Sequence, residues 1–294
     1  MSRTKWGAWD VTVEYGRRTA LDGVTLEVPA GQVAAVVGGD GAGKTTLLRC
    51  LTRAVRPGSG RVASPRRREI GYMPASTGVW RDLTVAQNME FVAAAHRIGG
   101  DEFRRRRDLL LEAAGLADVP DRRAGNLSGG MLHKLAFSMA MLHRPRMLVL
   151  DEPSTGIDPV SRIDLWRLIS QAAVDGTAVA LATTYLDEAE RCATVLVLDE
   201  GRTLRSGTPD EVITGVSGTI TAVQRPADPD RAWRRGRIFH AWHPGPPRPG
   251  EEPLSPDMED AVVAAALHAR DGNGRGPADG AANHERENHE REGS

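Results

Sequence analysis

Residues 32–51 read QVAAVVGGDGAGKTTLLRCL. A short apolar run rich in Val gives way to a cluster of glycines, after which apolar residues return at helical spacing. Gly38, four residues, then Gly43, Lys44 and Thr45 form a strand, loop and helix that suit phosphate binding. Glycines let backbone amides converge on phosphate oxygens, and a helix starting near Lys44 adds its positive N-terminal end. Gly38, Gly39, Asp40, Gly41, Ala42, Gly43, Lys44, Thr45 and Thr46 are therefore candidate nucleotide-binding residues. In this reading Lys44 neutralises the β and γ phosphates of ATP, Thr45 ligates Mg2+ through its hydroxyl, and Thr46 is a secondary contact.

Such a loop needs a carboxylate at the end of a nearby buried strand. RMLVLDEP (146–153) supplies it, with Asp151 for the metal shell and Glu152 as the candidate general base that orients or deprotonates the attacking water. Further apolar, β-branched runs occur at 9–15, 24–28, 178–184 and 194–199. Between the later ones, Ile163, Leu165, Trp166, Ile169 and Ala173 approximate a helical period. Strands alternating with helices predict an α/β domain with a largely parallel sheet. The first two strands, joined by the turn-rich GRRTALDG (16–23), read instead as an antiparallel β flap. Residues 81–125 read as consecutive helices with no strand between them, a helical insertion in a subdomain spanning about 76–145. The run Arg104 to Arg107 reads as its solvated face.

Composition limits what else the chain can do. The net charge of -1 gives no general argument for nucleic acid as a partner. Lys occurs only at positions 5, 44 and 134, with Arg supplying the other basic residues, which singles out Lys44. Cys50 and Cys192 lie far apart without metal-ligand spacing and read as reduced thiols. The N-terminus MSRTKWGAWD lacks an apolar core for secretion, and no run of roughly 18 apolar residues predicts a membrane span. Any membrane role is expected to come from a partner. The nucleotide-binding domain is expected over 1–218 and a small C-terminal accessory segment over 219–269. That segment reads as a strand, a short helix within PADPDRAWRR, a loop, and a capped helix in PDMEDAVVAAALHA. Residues 270–294, with HEREN and HEREG, are too polar to build a core and read as a disordered tail with solvated histidines.

LSGGM (127–131) brings a specific likeness, since it resembles the signature motif of ATP-binding cassette (ABC) ATPases, a P-loop NTPase family. By its own mechanics, Ser128 caps a helix whose N-terminus, with the Gly129 and Gly130 amides, can bind a phosphate. Residues 38–45 already form one phosphate loop, so this second site is best used across a dimer, against a nucleotide held by another ABC ATPase subunit. Walker A, signature and Walker B motifs in that order identify about residues 8–215 as a member of the family. The resemblance further implies that Tyr15 stacks on adenine, worth roughly 1–3 kcal/mol. It also implies that Asp158 in STGID (154–158) is the acidic member of a dimer-facing loop. GYMPAST, RDLTVAQNM, LSGGM and YLDEAERC are similar to the drug and antibiotic exporter branch, including the daunorubicin-resistance type. That likeness implies separate transmembrane permease subunits and a peripheral location at the cytoplasmic face of the cell membrane. Residues 219–269 resemble, more weakly, the accessory domain of that branch. The rival reading is a soluble ABC ATPase acting in translation or as a regulatory ATP sensor. Ribosome-associated members usually carry two cassettes and the DNA-repair type carries long coiled coils, and neither feature is seen here.

Two positions depart from the family. Ala75 in GYMPAST stands where Gln is usual, and Thr184 in ATTYLDEAE (182–190) stands where a His holds the γ phosphate. Asp40, where Asn is common, is a minor difference. Thr is shorter than imidazole and never cationic, and Ala has no polar group. One lost charge-assisted hydrogen bond costs about 1.5–3 kcal/mol, or roughly ten- to hundredfold in rate if felt only in the transition state. The expectation is a site that binds ATP firmly and hydrolyses it poorly, in an asymmetric dimer whose other subunit carries Gln and His. A homodimer with slow turnover at both sites is the alternative.

Overall fold

The computed structural model describes residues 5–272, which divide into two compact units between Pro209 and Asp210. In chain order the first unit holds β1 (Lys5–Tyr15), β2 (Arg18–Pro29), β3 (Val33–Val37), α1 (Lys44–Leu51), β4 (Ser59–Ala63), β5 (Ile70–Met73), α2 (Val85–His96), α3 (Gly100–Ala113), α4 (Gly129–Met141), β6 (Met147–Asp151), α5 (Pro159–Val174), β7 (Ala178–Thr183), α6 (Leu186–Ala189), β8 (Thr194–Asp199) and β9 (Arg202–Gly207). A short α7 (Pro209–Thr214) follows. The second unit contains β10 (Thr219–Val223), β11 (Ala232–Arg235), β12 (Ile238–His243) and α8 (Met258–Gly272).

The main sheet has the order β5-β6-β7-β3-β8-β9, parallel except for the β8–β9 pair. Every residue of β3, β6 and β7 is buried. This explains their unbroken apolar runs, because a parallel sheet covered on both faces has no polar side to alternate with. The order also sets the position of the site. β3, β7 and β6 are adjacent, with Val37 opposite Thr183 and Asp151 opposite Ala182, so the loops leaving their carboxyl ends meet. In open α/β sheets ligands bind beyond these strand ends.

The flap β2-β1-β4 is antiparallel, as expected. Its turn is shorter than the stretch GRRTALDG suggested: only Gly16 and Arg17 turn, and pairing resumes at Tyr15 and Arg18. Leu21, Val24, Leu26 and Val28 point into the core, and burying this one face extends β2 through residues whose composition suggested a loop.

The helical insertion is present, and α2, α3 and α4 share an apolar cluster that includes Met89, Leu111, Leu116, Leu135 and Leu142. Thr84 caps α2 by accepting from the Gln87 amide at 3.1 Å, while Gln87 returns a bond to the Thr84 amide. The arginine run on α3 is paired locally with Asp101, Glu102 and Asp108. Among the described residues no helix is long and apolar enough to cross a membrane. Both cysteines are buried and free, and burial pushes their thiols up to about 11 for Cys50 and about 12 for Cys192.

In the second unit β10, β12 and β11 form an antiparallel sheet, with a small core of Ile220, Trp242 and Ala264. The short helix expected over PADPDRAWRR is reduced to a single 3-10 turn at Pro229–Arg231, which leads into the β11–β12 hairpin. Gly236, with φ 62, supplies the hairpin turn. Trp233 and Trp242 gain more by packing across this sheet than the charged residues between them gain from a helix. The capped helix is found as α8, where Asp257 accepts from the Asp260 amide and Asp260 accepts from the Asp257 amide, at 2.9 and 3.1 Å. α8 runs through Gly272. The remainder of the expected tail, with both HERE repeats, lies outside the described residues.

Candidate nucleotide site

The loop between β3 and α1 demands glycine at fixed points. Gly38 has φ 155, and a Cβ there would sit 2.2 Å from the Leu198 carbonyl oxygen. Gly43, at φ 106, would bring a Cβ within 2.7 Å of the Ala20 carbonyl oxygen. Only glycine occupies both places without moving neighbouring backbone. The loop is pinned by the Ala42 amide, which donates to Gly39 O at 3.2 Å, and by the Gly201 amide, which donates to Ala42 O at 3.0 Å. Gly39, Asp40 and Gly41 are exposed, and Thr46 is half-buried on the first turn of α1.

Lys44 starts α1 and is buried. Its ammonium donates to Gly38 O at 2.8 Å and Gly39 O at 3.2 Å, and lies 3.3 Å from Glu152 Oε1. Beside it the Thr45 hydroxyl donates to Asp151 Oδ1 at 3.1 Å. Burial raises the Asp151 carboxyl above its ordinary range, a shift that the Thr45 bond opposes and the Glu152 charge reinforces. A carboxylate desolvated in this way is stabilised by a cation, and a hydroxyl beside a carboxylate is the hard oxygen set that magnesium prefers. These residues therefore fit Mg2+.

Glu152 has φ 51, in the left-handed region that costs a non-glycine residue on the order of 1–3 kcal/mol. The backbone is held there by its own amide, which donates to Ala182 O of β7 at 2.9 Å. The carboxylate turns toward Lys44. Its Oε2 also accepts from the Thr184 amide at 3.3 Å, the Thr184 hydroxyl at 3.4 Å and the Thr155 hydroxyl at 3.2 Å. Ala75 is exposed in the turn after β5. Tyr15 is 48 % exposed at the end of β1. The same hairpin borders the phosphate loop, because Arg18 Nη2 lies 3.4 Å from where a Cβ on Gly41 would be. Thr155 and Arg18 escaped the sequence reading. Their proximity to motif residues was the only signal, and neither chemistry nor spacing marked them out.

Ser128, Gly129, Gly130 and Asp158 form a second group, with no hydrogen bond to Lys44, Thr45, Asp151 or Glu152 among the described residues. Ser128 caps α4 by accepting from the Met131 amide at 3.3 Å, and it is exposed along with Gly129. Gly130 is buried, and a Cβ on it would lie 2.2 Å from Ser161 Oγ. Asp158 caps α5, accepting from the Val160 and Ser161 amides at 3.1 and 2.9 Å. The Ser161 backbone bond is the main cause holding its carboxyl below the ordinary range. The sequence read Gly130 and Asp158 for nucleotide or dimer contact, and here both also fix how α4 and α5 begin.

Comparison with known proteins agrees with this architecture. The family model described as ABC transporter matches residues 21–155. The chain is 36 % identical over 224 residues to the probable multidrug ABC transporter ATP-binding protein YbhF of Escherichia coli, covering 73 % of this chain and 39 % of that protein. It is 39 % identical over 215 residues to the daunorubicin resistance ATP-binding protein DrrA2 of Streptomyces coeruleorubidus, covering 69 % of this chain and 67 % of that one. A solved ATP-binding subunit of an ABC transporter superposes with a TM-score of 0.66 at 27 % identity, covering 72 % of this chain and 93 % of the other. The chain thus spans under two-fifths of YbhF and two-thirds of DrrA2. On these grounds the chain belongs to the family of ABC transporter ATP-binding proteins.

Proposed function

We propose that this chain is the ATP-binding subunit of an ABC exporter of drug-like molecules, coupling ATP binding and hydrolysis to transport through separate membrane subunits at the cytoplasmic face of the cell membrane. The observation that carries the proposal is the convergence of Lys44, Thr45, Asp151 and Glu152 beyond the carboxyl ends of β3 and β6, which flank β7. Lys44 and the loop amides bind the phosphates, and Tyr15 supports the adenine. Thr45 and Asp151 would hold Mg2+, which when bound supplies positive charge to the phosphate oxygens. Glu152 orients or deprotonates the attacking water. Its carboxylate is held by Lys44 on one side and by Thr155 and Thr184 on the other.

Thr184 is neutral and already engaged with Glu152, and Ala75 brings no polar atom. Both features support a slow site of its own, within a dimer where Ser128, Gly129 and Gly130 are lent to the nucleotide of a second ABC ATPase and Asp158 faces the interface. Docking of the membrane subunit at Ala75–Asn88 is supported by two observations. Trp80 and Phe91 are 44 % and 51 % exposed, with ring centroids 4.2 Å apart. Asn88, fully buried, braces this stretch through bonds to the Trp80 amide and to the Trp80 and Thr84 carbonyls.

The test is purification with the membrane subunits and any second ATPase, followed by ATPase assays of Ser128→Arg and Glu152→Gln in that complex. The asymmetric reading expects Ser128→Arg to nearly abolish hydrolysis and Glu152→Gln to change it little. Equal damage from both, or full activity from the isolated wild-type chain, overturns it. Failure to recover any membrane subunit favours the soluble ATPase.

A further inference from the structure

Behind Thr184 lies Glu188, a carboxylate with no exposed surface and no ion-pair partner among the described residues. Both of its oxygens accept from hydroxyls: Ser154 Oγ donates to Oε1 at 2.5 Å and Thr183 Oγ1 donates to Oε2 at 2.7 Å. Thr183 has a single hydroxyl hydrogen, and this geometry directs it to Glu188. Its oxygen accepts the Tyr185 amide at 3.0 Å, so the relay runs in one direction, from Tyr185 N–H through Thr183 to Glu188. Ser154 and Thr183 are themselves buried.

The two hydroxyls belong to different loops. Ser154 is two residues beyond Glu152. Thr183 and Tyr185 flank Thr184, whose amide and hydroxyl reach the Glu152 carboxylate. Glu188 therefore joins the segment that carries Glu152 to the segment that holds it. A buried carboxylate is an expensive fastener for a core that apolar side chains could fill. Two hydroxyl bonds fix direction as well as distance, which apolar packing does not.

We propose that Glu188 is a positioning residue for hydrolysis, tying Ser154 to Thr183 so that Thr184 keeps the Glu152 carboxylate aimed. The proposal rests on reading Glu152 as the base. A misplacement of about 1 Å can lower a rate on the order of a hundredfold without removing any reacting group. The effect should therefore fall on the chemical step and leave nucleotide affinity alone.

The experiment compares wild type with Glu188→Gln, Thr183→Val and the double variant, each as the full chain. Three quantities are measured: the Kd for MgATP, the single-turnover hydrolysis rate with protein in excess of ATP, and hydrogen exchange at the Thr184 and Tyr185 amides. Each single variant should slow hydrolysis at least about tenfold, shift Kd less than twofold, and speed exchange at both amides. The double variant should be no slower than the worse single, because both cut one relay. Unchanged exchange, losses that multiply, or affinity falling in step with rate would overturn the proposal. Thr183→Val, nearly isosteric, carries the test if Glu188→Gln does not fold. Glu152→Gln in the same single-turnover assay, which reads this chain's own site rather than the mixed complex, separates the two ideas. If it hydrolyses like wild type there, the reading of the base has failed, whereas its loss beside an unaffected Glu188→Gln sinks only the relay.

Discussion

The Lys44 ammonium lies 3.3 Å from Glu152 Oε1, with 9 % and 17 % of the two side chains exposed. The phosphate-loop cation and the candidate base are thus one electrostatic unit. Lys44→Ala removes charge-assisted bonds worth about 1.5–3 kcal/mol each and leaves Glu152 facing the phosphates without a cation between them. ATP affinity measured by calorimetry should fall about a hundredfold or more. Unchanged affinity in this variant would remove the phosphate-loop assignment.

Thr184 contacts Glu152 through its amide as well as its hydroxyl, so a longer side chain can be installed there while the amide bond remains. Ala75→Gln combined with Thr184→His should raise turnover at this chain's own site by roughly ten- to hundredfold. Steady-state ATPase assays of the isolated chain check this. A rate equal to or below wild type would mean that these two positions do not limit the site.

Gly130 sits on α4 where Ala would ordinarily favour the helix by about 1 kcal/mol. Ser161 reverses that sign, since a Cβ on Gly130 would meet its Oγ at 2.2 Å and its Cβ at 2.3 Å. Gly130→Ala should lower stability by about 1–3 kcal/mol in urea unfolding. Adding Ser161→Gly should recover part of that loss. Simple additivity of the two changes would refute the clash.

His96 and His143 stack at 3.8 Å between centroids. Burial lowers the His143 pKa from the ordinary 6.5 to about 4, helped by His96 and Arg106 and opposed by a bond to the Ile70 carbonyl. His96 is lowered by burial and by Arg68. The unfolded chain therefore binds more protons than the folded one between about pH 6.5 and pH 4, and stability falls as pH drops through that window and levels off below it. Allowing for partial solvent screening, the loss from His143 is about 1–2 kcal/mol. Melting temperature against pH should show a shallower acid limb in His143→Gln, and an identical limb would contradict this account.

The sequence alone determined the phosphate loop, the Asp151–Glu152 strand end, the Ser128 cap and the parallel core. Each is written in consecutive residues whose local backbone demands are visible: glycines for positive φ, a hydroxyl at a helix start, an apolar run for a strand buried on both faces. Tertiary structure decided the relationships between residues far apart in the chain. β7 lies between β6 and β3, and that order brings Lys44 to Glu152 and Glu152 to Thr184; no local pattern encodes which strands are neighbours. The demand on Gly130 comes from Ser161 on another helix, and Glu188 reads in sequence as one more acid in LDEAE until folding buries it against two hydroxyls. The β11–β12 hairpin was hidden for the same reason, since charged residues that suit an exposed helix were overruled by two tryptophans with a shared core to fill. Motifs are legible because they answer to their own backbone, whereas contacts answer to the whole core, whose packing is settled only when every strand has found its neighbour.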